Sequence, residues 1–191
     1  MGKLEIGLYD VFTPATMAAS PTAADVYDDH LRSAQEAEQL GYKYYFSIEH
    51  QTSPISYLSA PNVYLTALAR HTSVIRFGVM IYQLPFHNPI RLAQAGIEQG
   101  ADGRYAGEAG TPERLELRRV FQERAKSYDF WIDNGLALVG SPDTVIRKIQ
   151  AQHDLIGHDV LCTQHGFGRL APERIKKSMQ LFGEKVIPAF A

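Results

Sequence analysis

The dipeptide Glu49-His50 is the part of this sequence whose residue types offer the clearest chemistry. An imidazole titrates near neutral pH and can serve as a general acid or base. Both residues directly follow residues 42–48, a predicted strand, and α/β enzymes collect their reactive groups at the carboxyl ends of parallel strands. His50 is therefore a candidate catalytic residue. The alternative is a hydrogen-bonded structural histidine, and Glu49 is expected to hold a donor near the same edge.

Other reactive residue types stand in patterns that predict less. His87 lies in a proline-rich loop and is interpreted as a turn or surface residue. His153, His158 and His165 lack the spacing of metal ligands and have no thiolate partners, so we expect no metal site. Cys162 is expected to be a small buried hydrophobic residue. No Gly-x-Ser-x-Gly elbow is present, so a hydrolase is not favoured.

The composition is that of one ordinary globular domain over residues 1–191, with 45% hydrophobic and 21% charged residues. A net charge of -2 provides no field that would attract nucleic acid or an anionic membrane surface. The single cysteine excludes an internal disulfide. The first residues lack the pattern of a signal peptide and no apolar run is long enough to span a membrane, so a cytoplasmic location is expected.

Strand and helix patterns alternate along the chain, which predicts an α/β fold with a parallel sheet. The predicted strands cover residues 4–9, 42–48, 74–82, 135–140 and 159–163. Helical patterns end at residue 40, cover 61–71, begin near 90, and cover 112–126, 142–155 and 172–186. Rossmann-like and barrel arrangements both fit, although no GxGxxG motif follows the first strand. A complete barrel usually needs about 250 residues and eight strands.

Two blocks of this sequence resemble the bacterial-luciferase-like flavin-dependent monooxygenases. The first contains a helix ending in AExxGY, a strand ending in EH, and the patterns TxxIxxG and LPxxxPxRxA. Its matching residues are Glu38, Gly41, Tyr42, Glu49, His50, Thr72, Ile75, Gly78, Pro85, Pro89, Arg91 and Ala93. The second is LVGSPDTV at residues 138–145. Their common order over both ends of the chain makes a chance match unlikely, and the resemblance implies a (β/α)8 TIM-barrel type of fold.

The resemblance fails between the two blocks. Residues 95–110 form an irregular glycine-rich segment, which includes Gly103, Gly107 and Gly110 and is interpreted as a linker or loop. The resemblance to the family implies that more than about a hundred residues, several strands and helices of the barrel, are missing there. The chain is either a natural or engineered deletion form or a joining of separated segments. The expected architecture is an incomplete barrel of about five parallel strands in the order 7-8-1-2-3, whose open edges favour a homodimer.

The resemblance also implies a chemistry for these residues. It places His50 beside a flavin ring as the proton-handling group, and it places a bulged, sometimes cis, peptide at Met80-Ile81 under that ring. Glu49, Val79, Met80 and Ile81 are therefore candidate cofactor-binding residues, although Val79, Met80 and Ile81 can equally be core strand residues. The implied cofactor is reduced FMN, or the deazaflavin F420 as in some branches of the family. O2, a small organic substrate and a flavin reductase are the implied partners. A flavin-binding or inert protein without catalysis is the alternative.

Overall fold

The computed structural model describes residues 4–51, 56–83, 116, 119–120, 123–124, 126–133, 137–166 and 170–191. The backbone forms two compact units, one made of Met1–His87 with His158–Ala191 and the other of Asn88–Gly157. The predicted helix near residue 90, most of the one predicted from 112, and the glycine-rich segment lie outside the described residues. The expectation of one domain over residues 1–191 stays a prediction.

The first unit is built on a four-stranded parallel sheet. Its strands are β1 (Glu5–Tyr9), β2 (Tyr44–Ile48), β3 (Arg76–Ile81) and β4 (Val160–Thr163), in the order β3-β2-β1-β4. Gly7 lies opposite both Tyr44 of β2 and Cys162 of β4. The parallel α/β fold with the chain's last strand beside its first is thereby confirmed, as expected for an incomplete barrel.

In the described part of this unit, helices follow β1, β2 and β4. They are α1 (Pro14–Ala19), α2 (Ala23–Gln39), α3 (Pro61–His71) and, near the carboxyl terminus, a helix at Pro172–Lys185 followed by a 3-10 turn at Ile187–Ala189. Helix α2 begins with a capping box in which Thr22 and Asp25 satisfy each other's backbone N–H groups. It buries Val26, Ala34 and Ala37, which recur at helical spacing. The helix predicted at residues 61–71 has the same bounds in the structure.

The second unit contributes two described helices. We label them α4 (Tyr128–Asp133) and α5 (Pro142–Ile156), and the helix at Pro172–Lys185 is then α6. Helix α5 is capped by Ser141, whose Oγ accepts from the Thr144 N–H at 3.3 Å. It ends at Gly157, whose φ of 70° lies in the left-handed region that favours glycine. Neither α1 nor α4 was predicted from the sequence.

The strand predicted at residues 135–140 is wrong in its described part. Residues 137–140 form bends and coil, and only four strands are present among the described residues instead of about five. Gly140 has a φ of 140°, which an extended strand of L-residues does not accommodate. The short apolar run Leu138-Val139 has strand-like composition but leads directly into the cap of α5. Among the described residues, no helix has the length and apolar character required to cross a membrane.

Candidate functional site

Glu49 and His50 lie at the carboxyl end of β2, as the sequence predicts. Glu49 is 1% exposed. Its Oε2 accepts from the Gln83 N–H at 2.9 Å, its Oε1 accepts from Gln51 Nε2 at 2.9 Å, and its own N–H donates to the Ile81 carbonyl at 3.0 Å. The carboxylate therefore joins the ends of β2 and β3. His50 is partly exposed, and its N–H donates to the Leu58 carbonyl at 2.9 Å.

Strand β3 carries a bulge beside these two residues. Ser47 of β2 lies opposite Val79, whereas the next residue of β2, Ile48, lies opposite Ile81. Met80 is therefore the extra residue, which bends the strand locally. Val79 is buried at 6% exposure, while Met80 and Ile81 are 45% and 52% exposed. The bulge lies where the family resemblance implies it, and all peptide bonds of the described residues are trans.

All five candidate residues are joined by backbone contacts or sequence adjacency at one edge of the sheet. Glu49 bonds to Ile81, and Met80 and Val79 directly precede Ile81 in β3. His50 follows Glu49, so its backbone lies at the same edge. The other candidates cannot be placed: His87 and the glycines of segment 95–110 lie outside the described residues. Within the described part of the chain, no group of three or more His, Cys, Asp or Glu side chains could hold a metal ion.

The sequence analysis missed a buried polar network at the carboxyl end of β1. His30 of α2 donates from Nδ1 to Asp10 Oδ2 at 2.6 Å. The Tyr45 hydroxyl of β2 donates to the same Asp10 oxygen, and Tyr64 of α3 lies 2.9 Å from that hydroxyl. Because Tyr45 has one proton and gives it to Asp10, Tyr64 is the donor to Tyr45. The network thus connects β1, β2, α2 and α3, and we call it the Asp10 network.

The Asp10 network keeps a carboxylate ionised in a nearly buried position. The Asp10 side chain is 18% exposed and that of His30 is 6% exposed. Burial by itself raises the pKa of Asp10, but the charge and hydrogen bond of His30, with hydrogen bonds from Tyr45 and the Val11 N–H, bring the pKa below its ordinary value. Burial also raises the pKa of Tyr45 and Tyr64, so both hydroxyls remain protonated donors.

One signal in the sequence marks the Asp10 network. His30 follows Val26 by four residues, so it belongs to the buried face of α2, where an ionisable side chain needs a partner. Asp10 directly follows the buried strand β1, which brings it to the carboxyl edge of the sheet. The pairing of these two residues, however, depends on how α2 packs.

A second, partly buried histidine lies between the sheet and α6. His165 Nε2 lies 2.9 Å from the Tyr42 hydroxyl and 3.2 Å from Thr163 Oγ1, and its Nδ1 lies 2.8 Å from Ser178 Oγ. Burial lowers the pKa of His165 to about 4 because it disfavours the charged imidazolium. The imidazole is therefore neutral at pH 7 and acts as a structural hydrogen-bonding group.

The opposite, amino-terminal edge of the sheet carries a cavity of about 300 Å³, whose lining includes Leu4, Gly41, Lys43 and Gly183. None of the candidate residues lines this cavity. Its position does not match that of reactive groups in parallel α/β enzymes, which lie at the carboxyl edge. The edge containing His50 is therefore the better candidate site.

The family comparison matches the amino-terminal half of the chain. The model of the luciferase-like monooxygenase family matches residues 8–105. The chain is 36% identical over 86 residues to 2,5-diketocamphane 1,2-monooxygenase 2 of Pseudomonas putida, a match that covers 44% of this chain and 24% of that enzyme. It is 24% identical over 92 residues to limonene 1,2-monooxygenase of Rhodococcus erythropolis, covering 48% and 23%. The matched part thus spans about a quarter of the length of these curated relatives.

Solved structures share the fold. One is the oxygenating constituent of 3,6-diketocamphane monooxygenase from Pseudomonas putida in complex with FMN, with a TM-score of 0.65, 16% identity and coverage of 100% of this chain and 99% of that chain. Another is the monooxygenase RslO1 of Streptomyces bottropensis, with a TM-score of 0.70, 15% identity and coverage of 98% and 100%. Because the family model covers more than half of the residues, this chain belongs to the luciferase-like monooxygenase family.

Proposed function

We propose that this protein is a flavin-dependent monooxygenase that uses reduced FMN and O2 to oxygenate a small organic substrate. The bulge at Met80, beside Glu49 and His50, is the observation that carries the proposal. At this carboxyl edge of the parallel sheet, the partly exposed imidazole of His50 is near the exposed apolar residues Met80 and Ile81. Family membership supports the reaction class, and the solved relative that contains FMN supports the choice of flavin.

The residues at this edge fit the ring system of a flavin. A flat aromatic ring needs an apolar surface, and Met80 and Ile81 expose 45% and 52% of their area beside the end of β2. The methionine thioether also makes favourable contacts with aromatic rings. The proposed contacts are those to the flavin ring.

When bound, reduced FMN supplies the electrons for the activation of O2. The protein's own residues then have three tasks. Met80 and Ile81 support the ring and exclude water from one side of it. Glu49 holds the ends of β2 and β3 in register through Gln83 and Ile81. His50 directly follows Glu49, and its imidazole transfers a proton to or from the substrate.

Flavin binding and oxygen consumption test this function. The purified full chain is titrated with FMN and followed by flavin fluorescence, and oxygen uptake is then recorded with photoreduced FMN and candidate substrates. Small apolar ketones and terpenes are suitable first substrates, because the curated relatives are named for diketocamphane and limonene. We expect saturable FMN binding and substrate-dependent turnover. Absence of flavin binding would exclude the proposed activity, and a parallel titration with F420 distinguishes the two cofactors.

The variants His50→Gln and Met80→Lys separate the two roles at this edge. Loss of general acid-base catalysis typically costs about 10²- to 10⁴-fold in rate, so His50→Gln is expected to lower kcat by at least about a hundredfold and to leave FMN binding nearly unchanged. Met80→Lys introduces a charge below the proposed ring and is expected to weaken FMN binding. Equal FMN affinity in wild type and Met80→Lys would argue against the assigned ring surface.

A second candidate function is flavin binding without turnover. It is favoured by one observation, namely that the matched part spans only about a quarter of the curated relatives. This candidate predicts FMN binding without substrate-dependent oxygen uptake. The two functions therefore differ in the oxygen measurement and agree in the binding measurement.

The proposed monooxygenase acts as a homodimer supplied with reduced flavin by a separate reductase. Support for self-association comes from β3 and β4, the outer strands of the sheet, which have no further strand beside them among the described residues. Sedimentation at several concentrations tests the dimer. Reduced FMN generated chemically should replace the reductase in the oxygen assay.

A further inference from the structure

The loop after β1 is fixed by the Asp10 network. His30 Nδ1 lies 2.6 Å from Asp10 Oδ2, and the Asp10 N–H donates to the Phe46 carbonyl of β2 at 2.8 Å. The first contact anchors the loop to α2 and the second anchors it to the sheet. The position of the next residues is therefore set by two regular elements.

Phe12 is the next residue in this loop to make a fixed contact with His30. Its ring stacks on the His30 imidazole with the centroids 3.8 Å apart and the planes 10° apart, and it is 1% exposed. The Tyr64 ring contacts the Phe12 ring edge-on, with the two ring centroids 5.0 Å apart. The Phe12 carbonyl then accepts a hydrogen bond from the Tyr57 N–H at 3.0 Å. The loop after β1 thereby holds the loop after β2.

The loop after β2 in turn forms a hydrogen bond with the backbone of His50. Leu58, the neighbour of Tyr57, is 1% exposed, and its carbonyl accepts from the His50 N–H at 2.9 Å. A continuous path of short contacts therefore runs from Asp10 through His30, Phe12, Tyr57 and Leu58 to the His50 backbone. Each noncovalent step is a ring stack or a hydrogen bond, and His30, Phe12 and Leu58 are buried, so a shift at one end has little room to relax before it reaches the other.

We propose that Asp10 and His30 are positioning residues that hold His50 in its working orientation. The inference rests on the proposed function, in which His50 transfers the proton. Asp10 and His30 do not touch the substrate. They determine where the loop after β1 lies, and through Phe12 and Leu58 they determine where the His50 backbone lies. An imidazole displaced by a fraction of an ångström transfers protons less efficiently while substrate binding is largely retained.

The direct test uses NMR of the full chain without any cofactor. Histidine side chains are isotope-labelled, and the imidazole signal of His50 is identified by its loss in His50→Gln. The variant Asp10→Asn keeps the side-chain shape and removes the charge that pairs with His30. At a fixed pH of about 8, it is expected to shift and broaden the His50 signal, because the loop samples more than one arrangement. An unchanged His50 signal in a folded Asp10→Asn variant would overturn the inference.

Two further variants keep this test decisive. Phe12→Leu removes the ring stack on His30 and therefore interrupts the same path. It replaces Asp10→Asn in the test if that variant does not fold. The same change of the His50 signal is expected. His165→Gln disturbs a partly buried histidine beside α6, which makes none of the contacts in the path. It should leave the His50 signal unchanged. An equal response in His165→Gln would show general loosening and would also overturn the inference.

Kinetics separate this inference from the proposed function. In an active enzyme, Asp10→Asn is expected to lower kcat by roughly tenfold and to change KM and FMN affinity less than about twofold. A loss confined to KM would contradict a positioning role. If the wild type shows no turnover, the proposed function fails, whereas the NMR comparison still decides whether Asp10 and His30 position His50.

Discussion

Glu38 Oε1 accepts a hydrogen bond from the Val74 N–H at 2.6 Å, although the two residues are 36 positions apart in the chain. The same oxygen accepts from the N–H groups of Ser73 and Ile75 at 2.9 and 2.8 Å. These backbone bonds, with that of Val74 the strongest, lower the pKa of Glu38 against a smaller opposing effect of burial. One carboxylate at the end of α2 therefore shapes the turn that leads into β3.

Replacing Glu38 by Gln should destabilise the first unit. The amide keeps an acceptor oxygen but loses the charge, and a hydrogen bond to a charged group contributes about 1 to 3 kcal/mol. We expect a loss of about 1 kcal/mol in the free energy of unfolding, measured by urea denaturation at pH 7. The matched control is Glu36→Gln on the same helix, whose surface pair with Lys176 should matter little. Equal effects of the two variants would refute this role of Glu38.

The stability of the wild type should fall as the pH is lowered from about 6.5 to about 4, because of His165. Burial lowers the pKa of His165 to about 4, below the ordinary value of 6.5. Within this window the unfolded chain binds a proton at this histidine and the folded chain does not, so acid favours unfolding. This difference between the two pKa values corresponds to a loss of about 3 kcal/mol in the free energy of unfolding. Urea unfolding at pH 7.5, 5.5 and 4.5 measures it.

His165→Gln is the control for that pH dependence. Glutamine can bond to Tyr42 and Ser178 but does not titrate. The variant should have lower stability at pH 7.5 and a flatter profile between pH 6.5 and 4. A profile as steep as that of the wild type would assign the acid sensitivity to other groups.

Gly7 of β1 lies between Tyr44 of β2 and Cys162 of β4 in the sheet. A Cβ at this position would lie 2.9 Å from Cys162 Sγ and 3.1 Å from Tyr44 Cβ. Gly7→Ala should therefore cost about 1 to 3 kcal/mol, as overpacking of a core does. The added variant Cys162→Ala removes one of the two clashes and should recover part of that loss. As a control, Gly78→Ala brings the new methyl only to 3.4 Å from Phe46 and should cost less.

Replacing Glu49 is expected to affect the structure of the carboxyl edge of the sheet more than the chemical step. Glu49→Ala leaves the partly buried Gln83 N–H without this acceptor, which costs at most the penalty of a fully buried unsatisfied donor, about 1 to 3 kcal/mol. We expect weaker FMN binding in Glu49→Ala together with lower thermal stability, and a smaller change in Glu49→Gln, which keeps an acceptor. Thermal unfolding and FMN titration of both variants measure this. Unchanged FMN affinity in a destabilised Glu49→Ala variant would restrict Glu49 to a purely structural role.

The order of strands and helices could be predicted from the sequence wherever local patterns suffice. The helix at Pro61–His71 has its predicted bounds, since Pro61 favours a first helical turn and the apolar residues recur at helical spacing. The candidate edge at Glu49 and His50 could also be predicted, because the carboxyl ends of parallel strands share one edge. The strand predicted at 135–140 failed because the four apolar residues at 136–139 are too short a run to distinguish a strand from the coil before a helix cap.

By itself, the sequence determined the alternation of strands and helices, the family resemblance and the placement of His50 after β2. Only the tertiary structure decided which buried polar groups meet. Tyr42 and His165, 123 positions apart, and Asp10 with His30 and Tyr45 come together because parallel crossovers bring distant segments onto one sheet. The bulge at Met80 is likewise a property of the β2–β3 register. Local patterns depend on neighbours within a few residues, whereas these contacts depend on how complete elements pack.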